Sequence, residues 1–223
     1  ILKERKRVII NFLIIIQEEN EMSNLVTFEN ADNESNILRI GGKSFLPPDM
    51  EWPTNPNGEK MVFIFNIPTN FLNAELNFNY PKDKVISVFT TYNREDYFLD
   101  SIVYNGDTEE LQNIKNGYTK VVLHSAAAPR NDADFLIPAR EIVIDKEMNE
   151  SDEDYGSLIG ANPVFLQNEK LELDSYQFCM QIYGEDFPEE FQDIFCLDDA
   201  IGYLFLSKEE KADDVGVFFV QCT

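Results

Sequence analysis

The sequence is short of the residues that most often build metal centres and nucleophilic sites. Among its 223 residues are three cysteines (Cys179, Cys196 and Cys222) and a single histidine, His124. Three cysteines without metal-ligand spacing do not make a disulfide framework or a zinc site, and one histidine excludes a multi-histidine metal centre. The sequence therefore predicts that no metal or cofactor is needed. Free thiols are typical of a reducing compartment, so we expect a cytoplasmic protein.

Basic residues are also scarce. The chain has 18 Lys and Arg against 41 Asp and Glu, which gives a formal net charge of −23. Such a charge repels nucleic-acid phosphates and anionic membrane surfaces, so we expect neither as a partner. Residues 145–223 carry 20 of the acids and only 4 of the bases. This asymmetry favours a basic protein partner, while the alternative is that the charge only keeps the protein soluble.

No apolar run is long enough to cross a bilayer. Residues 8–16 are apolar except for Asn11 and follow four basic residues, as in a signal peptide. However, the next residues, Gln17 to Asn20, offer no small-residue cleavage site, and the run is about half of the roughly 20 residues that a span requires. Because Val and Ile dominate this run, we expect a buried strand.

Short runs rich in Val, Ile, Phe and Tyr recur along the chain, mostly separated by turn residues. They predict strands at 8–16, 25–28, 61–67, 85–89, 98–103, 120–124, 141–144, 177–183, 203–206 and 215–220. Helical signals are few: one short helix is expected from Thr108 to a stop at Gly117, and another is expected to open at Pro188. The predicted fold class is mainly β, or β-rich α+β, with a few short helices.

The two halves of the chain resemble each other. Runs beginning at Ile40, Phe63 and Val85 are echoed by runs beginning at 159, 178 and 202. The offsets, 119, 115 and 117 residues, are nearly constant. This pattern predicts an internal duplication within one domain, 1–223, with halves of approximately 8–144 and 157–223 joined by an acidic linker, 145–156. Chance similarity between short apolar strands is the alternative.

The most specific string in the sequence is Gly41-Gly42, followed by Leu46-Pro47-Pro48 and Glu51-Trp52-Pro53. It resembles the opening of the YwqG-like family, a domain of unknown function. Further resemblances follow in the same order at residues 65–67, 80–89, 160–167, 180–182 and 199–202, and at the closing Phe218, Gln221 and Cys222. The resemblance covers roughly residues 8–223 and implies a roll-like, mainly β fold with a duplicated unit. It implies no biochemical activity.

Two classes of function are consistent with these features. The leading hypothesis is a non-catalytic protein- or peptide-binding domain, in one version an immunity or antitoxin-like protein that covers a basic effector. Its candidate contact residues are Glu185, Asp186, Glu189 and Glu190, whose alternative role is to suit the dipole of a helix opening at Pro188.

The alternative hypothesis is a small-molecule or enzyme site in the cleft between the two halves. Its candidate lining is Trp52, Asn66, Gln167 and Gln181. Each has a simpler interpretation, since large aromatics mostly pack and buried amides mostly bind local backbone. No catalytic residue is predicted, because His124 has no nucleophile pattern beside it in the sequence.

Overall fold

In the part of the chain that the structure describes, ten β-strands form one antiparallel sheet. The computed structural model describes residues 23–31, 38–145, 156–160, 162–167, 169–208 and 215–223. The predicted strand at 8–16 and nearly all of the predicted linker lie outside these residues. The mainly β fold class is confirmed. The strands are β1 (Asn24–Asn30), β2 (Arg39–Ile40), β3 (Val62–Pro68), β4 (Lys84–Thr90), β5 (Thr119–Ser125), β6 (Arg140–Asp145), β7 (Leu158–Ile159), β8 (Tyr176–Tyr183), β9 (Ile201–Ser207) and β10 (Gly216–Gln221).

Helices in the described part of the chain are short. They are α1 (Thr69–Glu75), α2 (Leu99–Ile102) and α3 (Thr108–Asn113), which continues into one π-helical turn (Ile114–Tyr118). Two 3₁₀ turns, Gly184–Asp186 and Glu189–Phe191, follow β8. Within the described ranges, no helix combines the length and apolar character that crossing a membrane would require.

The sheet curls until its two ends nearly meet. Its strand order is β10-β9-β8-β7-β1-β6-β2-β3-β4-β5. The end strands are not joined by a ladder, but the Thr119 hydroxyl at the start of β5 donates to the Phe218 carbonyl of β10 at 2.6 Å. The main core joins both halves, since the rings of Phe65 and Phe218 pack edge to face with centroids 6.0 Å apart. We call the gap between β5 and β10 the seam.

The two ends of the sheet repeat one arrangement. The two-residue strand β2 pairs with β3, and the two-residue strand β7 pairs with β8. A β-bulge interrupts β3 between Phe63 and Phe65, and another interrupts β8 between Phe178 and Met180. β1 pairs with β7, β6 pairs with β2, and β1 and β6 pair with each other at the centre. These matches support the predicted duplication, which stays a proposal, and they favour a second unit that begins at β6.

One predicted strand is wrong. Residues 98–103 contain α2 instead, because their inward-facing residues follow a helical spacing. Phe98, Leu99, Ile102 and Val103 are buried while Asp100 between them is exposed, a pattern that strand alternation would not give.

The predicted helix near Thr108 is present, with a different cap. The side chain of Asp107 accepts hydrogen bonds from the backbone N–H groups of Glu109 and Glu110 at the N-terminus of α3. Gly117 ends the following π turn with φ of 105°, as the predicted stop requires.

Candidate functional site

Trp52 packs into a small cluster on the first half of the sheet. Its ring is buried and lies edge to face with Phe89 at a centroid distance of 5.2 Å. The indole N–H donates to the Met61 carbonyl at 2.9 Å, and the guanidinium of Arg130 lies 5.4 Å from the ring centroid. The contacts therefore fit the packing role that was the alternative interpretation.

Asn66 belongs to a buried polar network across three neighbouring strands. Ser87 of β4 donates to the Asn66 side chain of β3, and its hydroxyl oxygen lies 2.6 Å from Nε2 of His124 on β5. His124 Nδ1 lies 2.9 Å from the carbonyl of Ser125. Burial lowers the pKa of His124, which keeps the ring neutral. No local sequence pattern marks this serine–histidine contact, because the register of β4 and β5 creates it.

The network is poorly placed for catalysis. Ser87 is fully buried and His124 is 4% exposed, so no substrate carbonyl can approach the serine oxygen in this conformation. Asn66 contacts the serine rather than the imidazole, whereas the third member of a catalytic triad orients the base. The geometry therefore favours a structural role for these three residues.

Arg39 is a buried cation on the same part of the sheet. Its guanidinium donates to the carbonyls of Gly41 and Lys43 and lies 5.1 Å and 5.7 Å from the ring centroids of Phe45 and Phe63. Burial lowers the pKa of Arg39 to about 10. Because its bonds go to the chain that follows β2, Arg39 holds the Gly-Gly turn against the sheet.

The two candidate glutamines brace backbone in the second half. Gln181 accepts from the Val164 N–H at 2.8 Å and donates to the Gly156 carbonyl at 2.9 Å. Gln167 donates to the Cys222 carbonyl at 2.6 Å. Within the part of the chain that the structure describes, no hydrogen bond or ring contact joins these glutamines to the first-half candidates. The predicted ligand site stays a prediction, and the observed bonds support the simpler interpretation.

Three surface cavities can be described, and the four candidate ligand residues line none of them. One of about 440 Å³ lies beside Phe165 and Phe178, and one of about 320 Å³ beside Tyr183 and Asp199. The third, of about 350 Å³, opens at the seam. Among the described residues, no three His, Cys, Asp or Glu side chains are grouped so that they could hold a metal ion.

The acidic residues after β8 form a distinct surface. Residues 184–199 contain seven Asp and Glu and no Lys or Arg. Five of these side chains are exposed, and we call them the acidic face: Glu185, Glu189, Glu190, Asp193 and Asp198.

The backbone beneath the acidic face is held firmly. Phe187, Phe191, Ile194 and Phe195 from the same segment are all buried in the main core. These four apolar residues point inward together. Packing therefore fixes the backbone that carries the carboxylates between them.

Two arginines bind this segment through its carbonyls. Arg94 donates to the Glu190 carbonyl at 2.9 Å, and Arg140 donates to the Asp186 carbonyl at 2.7 Å. Among pairs of described residues, the one ion pair joins Arg130 to Asp132, away from this segment. No ion pair between described residues reaches the acidic face, although the charge of Arg94 interacts with Glu190 and Asp193.

Asp186 differs from the other three predicted contact residues. Its side chain is half-buried and accepts a hydrogen bond from the Ser157 hydroxyl at 2.6 Å, so it has a local structural role. The expected helix at Pro188 is only a three-residue 3₁₀ turn, Glu189–Phe191. A single turn has a small summed dipole, which weakens the helix-dipole explanation for these carboxylates.

Exposed apolar side chains accompany the acidic face. Tyr97 is 65% exposed and Leu197 is 38% exposed, both unusual for large apolar residues of this chain. Tyr97 follows Arg94 by three residues, and Arg94 binds the Glu190 carbonyl, so this stretch of chain lies against the acidic segment. Leu197 precedes Asp198 directly. Tyrosine is enriched among the residues that carry most of the binding energy in protein interfaces.

Residues 38–215, most of the chain, match the model of a family described as Domain of unknown function (DUF1963). No curated protein matches the chain.

Proposed function

We propose that this chain, which belongs to the DUF1963 family, is a non-catalytic domain that binds a basic protein partner through the acidic face. The description of the family assigns no activity, so the proposal rests on the surface of the chain itself. The observation that carries this proposal is the set of exposed carboxylates at 185–198 on a segment without a basic residue.

Electrostatics and packing support this function together. A fixed cluster of like charges raises the association rate of an oppositely charged partner, and the effect falls as salt is added. Because buried phenylalanines already hold the segment in place, binding a partner costs less conformational entropy than binding to a disordered segment would. Tyr97 and Leu197 supply apolar contact area beside the charges.

The test is a charge reversal. Glu185, Glu189 and Glu190 are changed together to Lys, and Asp186 is left unchanged because it binds Ser157. The matched control reverses three exposed acids elsewhere, Asp49, Glu51 and Asp134, which alters the net charge equally. Wild type and both variants are used to capture partners from the native organism at low and high salt, and the captured proteins are quantified by mass spectrometry.

We expect a basic protein that wild type and the control variant capture and that the Glu185/Glu189/Glu190 variant loses. With the purified partner, the association rate constant should fall as ionic strength rises. Equal capture by all three proteins would assign the acidity to solubility and refute the proposal. A partner whose association rate is independent of salt would refute the electrostatic mechanism.

Three narrower statements belong to this proposal. In an immunity or antitoxin-like version, the partner is a basic effector whose active site the acidic face covers. The YwqG-like resemblance is supported by the family match, which spans the Gly41-Gly42 string. A cytoplasmic location fits the three free cysteines.

A further inference from the structure

The seam contains a cavity that no predicted site residue lines. Its walls are residues 119–121 of β5, residues 215–217 of β10 with its approach, the π turn after α3, and Tyr176. Its volume of about 350 Å³ is at the lower end of the range for small-molecule sites. Because each half contributes an end strand, the cavity lies where the alternative hypothesis expected a site, although its residues are different.

The wall formed by the π turn has an unusual backbone. The turn Ile114–Tyr118 brings Ile114 inward as a buried anchor and carries Lys115 on its exposed side. Gly117 closes the turn with φ of 105°, and a Cβ added there would meet no atom within 4 Å. Glycine is therefore required by the backbone angle and not by crowding.

The cavity differs in charge from the rest of the molecule. Its described lining includes two exposed lysines, Lys115 and Lys120, and no carboxylate, in a chain with 41 acids and 18 bases. The Thr119 hydroxyl is already bonded to the Phe218 carbonyl, so it holds the walls together. The lysine ammonium groups remain as the charged donors at the rim.

From this arrangement we propose that the seam cavity binds a small molecule bearing an oxyanion, either a carboxylate or a phosphate, through Lys115 and Lys120. Charge-assisted hydrogen bonds from ammonium groups are the strong contacts that such a ligand needs. The strand edges and the π turn form the walls on either side. This site is independent of the acidic face, and it would stand if the proposed partner binding failed.

The experiment is a titration of the ¹⁵N-labelled full chain, followed by amide chemical shifts. Inorganic phosphate and succinate are the two probes, because one carries only phosphate and the other only carboxylates. We expect saturable shifts at Lys115, Gly117, Lys120 and Gly216 with at least one probe, with a dissociation constant of about 1 mM or tighter. The probe with the tighter constant identifies the preferred oxyanion.

Variants locate the binding. Lys115→Met with Lys120→Met should weaken the binding of the preferred probe by about tenfold or more, the effect of losing roughly 1.4 kcal/mol. The control, Lys60→Met with Lys82→Met, removes two exposed lysines outside the cavity lining and should bind as wild type does. Equal weakening in both variants, or no saturable shift with either probe, would overturn the proposal.

Discussion

Replacing Gly41 by alanine tests a close backbone approach in the first half of the chain. Gly41 has φ of 60°, and a Cβ there would lie 2.5 Å from the Pro138 carbonyl oxygen and 2.8 Å from that of Ile137. The left-handed conformation alone costs a non-glycine residue about 1–2 kcal/mol. Relieving the clash requires a backbone shift, which adds about 1–3 kcal/mol. We therefore expect Gly41→Ala to lower the free energy of unfolding by about 2–5 kcal/mol.

Gly58 provides the matched control. Its φ is 85°, but a Cβ there would meet no atom within 4 Å, so Gly58→Ala should cost only the conformational part, about 1–2 kcal/mol. Urea unfolding of wild type and both variants, followed by tryptophan fluorescence from Trp52, gives the two free energies, and equal m-values confirm that they can be compared. If Gly41→Ala cost no more than Gly58→Ala, the close approach to residues 137 and 138 would be wrong.

Two further substitutions test the buried polar groups. Burial lowers the pKa of His124, so the unfolded chain takes up a proton more readily than the folded chain, and the free energy of unfolding falls as pH drops below about 6.5. His124→Gln should flatten this part of the stability–pH curve, and an unchanged slope would contradict the assignment. Gln181→Met leaves the Val164 N–H and the Gly156 carbonyl without their partner, so the free energy of unfolding measured in urea should fall by about 2–4 kcal/mol. The control, Gln112→Met on the exposed side of α3, should leave this free energy nearly unchanged.

Most of the strands could be predicted because they are apolar on both faces. The run at 85–89 is such a strand and is buried throughout in β4. Residues 98–103 have a similar composition but form a helix. Only the spacing of their apolar residues, which Asp100 interrupts at a helical interval, distinguishes this helix from a strand. The two-residue strands β2 and β7 are too short to leave any periodic pattern, so only the sheet register reveals them.

The site could be predicted less well than the fold. The acidic segment was recognised from charge, which needs no knowledge of contacts, but the separate role of Asp186 depends on Ser157, which lies 29 residues away. Ser87 and His124 are brought together only by the β4–β5 register, so no local pattern marks them. The seam cavity is missed for the same reason, because its two lysines become wall residues only when the sheet curls.

The central place of β1 in the sheet affects the order in which the strands can pair while the chain is being synthesised. This strand is bonded on one side to β6 and on the other to β7, and the nearest pairing along the chain, Asn30 with Arg140, spans more than a hundred residues. During synthesis β1 is therefore complete long before its two partners, β6 and β7, leave the ribosome. β3, β4 and β5, which pair in chain order, can form a meander in the meantime. We therefore expect final closure of the sheet to be the slow step of folding, and a nascent chain stalled before residue 140 to be the form most prone to aggregation.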